Sequence, residues 1–189
     1  VFRSAFLLVF QRQSFAVTLR SNFQQRSMDF EGKLEVQIKQ LVDTAPQDGK
    51  TPQLVTAIAP VLLHFATQLQ RENFYVLQNL NGDWVRTTLS SRREQGVQKS
   101  VIYAFATVDD ARKSPMPTKD PNILAAPVPV THVLFQMVAL KTLDSLVFFA
   151  TEGNLNNGTE VTRIVFEETM KAYFEQVQDW QEGEDVTLA

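Results

Sequence analysis

The chain has 189 residues, 44% of them hydrophobic and 21% charged, with no cysteine and a net charge of −3, a profile that fits one globular domain plus tails. The lack of cysteine excludes disulfides, Cys-ligated zinc, iron–sulfur clusters and thiol nucleophiles. The first 27 residues hold four arginines and no acid, while all 21 acidic side chains lie beyond them and leave that part at −7, which disfavours a nucleic-acid surface because phosphate binding needs clustered Lys and Arg.

In the opening "VFRSAFLLVFQRQSFAVTLRSNFQQRSM" the apolar run "AFLLVF" is six residues long, far short of the ~20 that span a bilayer. The segment is Arg-rich and acid-free, as transit peptides are, and composition shifts at Met28. The expectation is that Met28 is the natural start and that residues 1–27 are an extension or removable leader, disordered or loosely packed. The expected location is the cytoplasm, or an organelle if residues 1–27 act as a transit peptide.

Residues 29–42 place Phe30, Leu34, Ile38 and Leu41 on one helical face, with Ser27 or Asp29 available as a cap. Thr51-Pro52 reads as a second helix start. Its apolar stripe, Leu54 to Leu69, contains Pro60, which predicts a kink or two abutting helices. "NFYVLQNLNGDWVRTTLSS" changes to a β period around Asn81-Gly82, the pair that suits a tight hairpin. "KSVIYAFAT" reads as a buried central strand. Thr107, with Asp109 and Asp110 behind it and Arg112 and Lys113 further on, marks a short helix. "LAAPVPV" reads as extended, its prolines suggesting an edge strand or a strand start, and Thr131 as the cap of a helix through Leu140. "DSLVFFAT" is another buried strand, "EVTRI" a short one, and a last helix runs from about Val165 to Trp180. The reading is α+β: one mixed β-sheet of four to six strands, covered by two N-terminal helices and a C-terminal helix. The domain is expected over residues 28–181, with 182–189 as an acidic tail.

No dinucleotide fingerprint, phosphate loop or nucleophile elbow occurs, and no cofactor or metal is expected. His132, in a helix's first turn, could serve as a base or lie on the surface as an ordinary helix-start residue. His64 reads as the polar edge of its helix. Asp109-Asp110 reads as a complement to the helix dipole rather than a cation site. Arg86, Arg92, Arg93 and Lys99 form the one basic concentration of the acidic part, able to meet a phosphate or an acidic segment. Asn154 lies in a turn-rich loop after a buried strand, where ligand sites often form.

The stretches "NFYVLQNLNGDWV", "VIYAFATVDDARK", "APVPVTHVLFQMVAL" and "LDSLVFFATEGN", over roughly residues 73–165, resemble the SseB-type domain pattern. The whole chain is also similar to small uncharacterised cyanobacterial proteins. Where that pattern commonly has Asn-Pro-Gly, this chain has Ala150-Thr151-Glu152-Gly153. The resemblance implies a small mixed-sheet domain with a non-catalytic role and supplies no catalytic residue. The leading expectation is a non-enzymatic module that binds another protein, without nucleic acid or integral membrane contact. The alternative is a small-molecule or anion-binding enzyme or sensor using the Arg92-Arg93 loop and His132.

Overall fold

The computed structural model describes residues 25–90, 98–114 and 120–185, with side chains up to residue 177. Helix α1 spans residues 25–44 and α2 Thr51–Leu69. They are followed by β1 (Asn73–Gln78), β2 (Thr87–Ser90), β3 (Gln98–Phe105), α3 (Val108–Lys113) and β4 (Leu124–Pro129). The chain ends with α4 (Val130–Ala139), β5 (Ser145–Phe149), β6 (Thr159–Thr162) and α5 (Arg163–Asp185). The fold is α+β with one six-stranded mixed sheet, ordered β4-β1-β3-β5-β6 with β2 also on β3.

Strands β3 and β5 run parallel, and every other pairing is antiparallel. One sheet face carries Phe74, Val76, Ile102, Ala104, Leu146, Phe148 and Val161 into a core shared with α1, α2, α4 and α5. Alternate residues point to the outer face, where Leu77 and Phe105 pack with Ala111 of α3. The apolar stripe of α2 reaches this main core through Val55, Ile58, Leu62 and Phe65, and Phe65 stacks on Phe166 of α5 with centroids 5.4 Å apart. Gln37 pins α1: its buried amide donates to Glu72 O at 2.8 Å and accepts the Thr131 hydroxyl at 3.2 Å.

Several local expectations are corrected. The runs flanking Asn81-Gly82 pair with each other only at the base of the turn, through an antiparallel Gln78–Trp84 bridge, and not as a two-strand hairpin along their length. β1 pairs with Tyr75↔Phe105 and Val76↔Ala104, and β2 with Thr87↔Val101 through Ser90↔Gln98. The two therefore lie end to end along the same lane of β3. Residues 79–86 make an excursion whose Val85 N–H returns to Leu77 O at 2.8 Å. Gly82 supplies positive φ, +86°, and Asn79 Oδ1 accepts the N–H groups of Asn81 and Asp83.

Helix α2 runs unbroken through Pro60, which sits on its exposed side, so the carbonyl it leaves unbonded faces water rather than the core. Its start is organised by Asp48, whose carboxylate takes the N–H groups of Thr51 and Lys50 and the Thr51 hydroxyl. These bonds, that of the Thr51 N–H first, lower the Asp48 pKa. Thr131 does not cap α4. That helix follows β4 without a loop, and the Thr131 hydroxyl is spent on Gln37. Ser27 and Asp29 lie inside α1 rather than at its cap, so a domain boundary at Met28 falls within a helix; residues 1–24 lie outside the described residues. The predicted tail from residue 182 begins inside α5, which extends to Asp185.

The prolines of β4 occupy an edge strand, the first of the two placements its sequence suggests. Val130 N–H donates to Glu72 O at 2.9 Å, so by the two-residue alternation the nitrogens of Pro127 and Pro129 point to the open edge.

Candidate functional site

The carboxyl ends of the parallel strands β3 and β5 lie side by side, the position where open sheets with parallel strands tend to place ligands. Arg71 sits across them. Gln70, at φ 53°, ends α2 in the left-handed conformation. The Arg71 guanidinium then donates to Ala150 O at 3.2 Å and Ala106 O at 3.0 Å, the carbonyls that follow the two strands. Its Nε–H is buried with no partner among the described residues. A hollow of about 450 Å³ opens here, lined among others by Phe30, Arg71, Asn73, Tyr75 and Thr107. A neighbouring groove of about 540 Å³ runs beside α1 past Met28, Gly32, Val36 and Pro129 and shares Glu72 and Asn73 with it. Glu72 is engaged by Lys33 at 2.8 Å, and this bond raises the lysine pKa.

Asp110 closes the same end of the sheet from the α3 side. The residue is 3% exposed. One oxygen accepts the Thr107 hydroxyl at 2.8 Å, the Asp110 N–H returns to Thr107 Oγ1, and the other oxygen accepts Gly153 N–H at 3.0 Å. Thr107 thus caps α3, and the Asp110 carboxylate holds both the capping hydroxyl and a distant turn, which gives Asp110 a structural task. Asp109, next to it, is exposed.

The outer sheet face is the second notable surface. One six-residue helix, α3, covers part of it. Tyr103, Phe105 and Phe149 stack with centroids 5.5 to 6.5 Å apart; Phe105 is buried, while Tyr103, Phe149 and Tyr75 of the same cluster are half-buried. Toward the other end of this face, Lys99 on β3 pairs with Glu160 on β6.

The residues singled out in the sequence do not converge. Arg86 donates to Thr142 Oγ1 at 3.0 Å, near the amino ends of β3 and β5. The five residues of β5 separate that point from the Asn154 loop, about 17 Å at strand rise. Asn154 serves its own turn, with Oδ1 accepting Asn156 N–H and its N–H donating to Thr151 O. His132 is half-buried in the first turn of α4, Nδ1 3.3 Å from Thr131 Oγ1, and burial lowers its pKa. It lines neither hollow. Arg92 and Arg93 lie outside the described residues.

Sequence reading missed Arg71 and Gln37, and nothing local could have found them. Arg71 bonds carbonyls 35 and 79 residues away, and Gln37 bonds a threonine 94 residues away. Among the described residues there is no group of three or more His, Cys, Asp or Glu able to hold a metal, and no helix long and apolar enough to cross a membrane. No protein-family model matches the chain, and no curated protein matches it.

Proposed function

We propose that this protein is a non-catalytic accessory module of the cytoplasm that binds another protein, and that the aromatic row of the outer sheet face is its docking surface. The observation that carries this reading is the half-buried pair Tyr103 and Phe149, stacked on each other and on the buried Phe105, with half-buried Tyr75 in the same cluster. Aromatic side chains bury large areas at low entropic cost and dominate interface energetics. The polar end at Lys99 and Glu160 would set orientation. The SseB-type resemblance, with its implied non-catalytic role, is retained as part of this reading.

The test is affinity purification from the native host with mass spectrometry for both proteins and small ligands, comparing wild type with Tyr103→Ala. A specific protein retained by wild type and lost by the variant, with the melting temperature little changed, is the expected result. Equal capture by both chains, or a small molecule without a protein, would refute it.

A further inference from the structure

Arg71 is held in place without being neutralised. A guanidinium has five N–H donors, and here the protein takes two, on Nη1 and Nη2, through the Ala150 and Ala106 carbonyls. Among the described residues no carboxylate lies within ion-pair distance of it. The adjacent acid Glu72 is occupied by Lys33, and Asp110 directs its two oxygens to Thr107 and Gly153. A partly buried cation fixed between neutral carbonyls lacks the counter-charge that offsets desolvation.

The hollow in front of this cation has walls of two kinds. Phe30, Tyr75 and Val108 are apolar, and Asn73 and Thr107 bring an amide and a hydroxyl. A single guanidinium with Glu72 on the rim suits a monoanion better than a dianion. The second hydrogens of Nη1 and Nη2 suit the two oxygens of a carboxylate. We propose that the hollow before Arg71 binds a small organic carboxylate, its anionic head on the guanidinium and its apolar body against Phe30 and Tyr75. This site borders the docking face at Tyr75, which lines both, but carboxylate binding at Arg71 does not depend on that face.

The experiment is an amide chemical-shift titration of the full chain with benzoate, alongside benzamide as its neutral isostere and inorganic phosphate. Benzoate should give saturable shifts at Asn73, Ala106 and Thr107, with benzamide and phosphate each at least about tenfold weaker. Arg71→Lys keeps the charge but loses the fork, and should weaken benzoate by about tenfold. No saturation by about 10 mM benzoate, benzamide or phosphate binding as tightly as benzoate, or undiminished binding by a folded Arg71→Lys chain would each overturn the proposal. If that variant does not fold, the comparison of the three probes on wild type decides.

Discussion

The carboxylate of Asp110 accepts the backbone N–H of Gly153 at 3.0 Å, joining α3 to the turn after β5 across 43 residues of sequence. The same buried group caps α3 through Thr107. Asp110→Ala therefore removes two attachments at once and should cost about 2–3 kcal/mol. Asp110→Asn, which keeps an acceptor oxygen, should cost less. Chemical denaturation of both variants checks the order, and an alanine variant as stable as wild type would refute the structural role.

The central strands should carry the stability. Phe148 and Ile102 are fully buried, and Phe148 meets Phe74 edge-on at 5.0 Å. Phe148→Ala or Ile102→Ala should each cost about 2–5 kcal/mol. Asn156 and Asn157 are exposed and free of positive φ, so alanine there should cost no more than about 0.5 kcal/mol. Comparable denaturation midpoints for the four variants would contradict this division.

The extent to which these features are legible in the sequence follows their range. β3 and β5 show as apolar runs, α3 as Thr107 followed by Asp110, and the edge character of β4 as two prolines, because each cause lies within a few residues. Asn81-Gly82 predicts a turn, and Gly82 makes one. That the flanking runs pair with each other only at Gln78 and Trp84 and otherwise with β3 depends on a strand further along the chain. Arg71 and Gln37 look ordinary in sequence because their partners are distant backbone carbonyls and a distant hydroxyl. Arg86, His132 and Asn154 carry the right chemistry for a site, but the topology sends them to different places.

Glu160 gives a pH signature. Burial raises its pKa, but the Lys99 hydrogen bond, the Ser145 hydroxyl and the Lys99 charge together outweigh this and bring it below its ordinary 4.5. A depressed folded-state value means the contribution is complete above about pH 4.5 and is lost as pH falls through the folded-state pKa. Both side chains are over a third exposed, so solvent screening keeps the effect small. Glu160→Gln should cost about 0.2–1 kcal/mol at pH 7, and the gap to wild type should close in acid. Urea midpoints at pH 7 and pH 3 measure it, and a gap independent of pH would count against the ion pair.

His132 works in another pH range. Burial holds its pKa below the ordinary 6.5, so the fold favours neutral imidazole. The associated stability is complete above about pH 6.5 and declines as pH falls toward the folded-state value. His132→Ala should leave the fold and partner capture at pH 7 nearly intact, and should flatten the stability profile below pH 6.5. Loss of partner capture with an unchanged fold would give this histidine a binding role.

The prolines of β4 predict an association phenotype. Their nitrogens face the open edge, so Pro127→Thr places a new N–H donor on an unpaired strand. The variant should self-associate at concentrations where wild type does not, as read by light scattering. A variant that scatters like wild type would show that edge to be guarded by something other than proline.

Because β1 and β2 dock end to end on one lane of β3, the register of each is fixed by its own pairs and not by the length of chain between them. Val85 N–H already meets Leu77 O at 2.8 Å, so the two ends of the 79–86 excursion are closed before its tip begins. Added residues at the tip would lengthen a surface loop, with a closure cost that grows only slowly, and would leave every sheet residue on its proper face. The fold thus contains a natural splice point, where an epitope tag, a reporter or a second folded unit can be carried without renumbering the sheet around it.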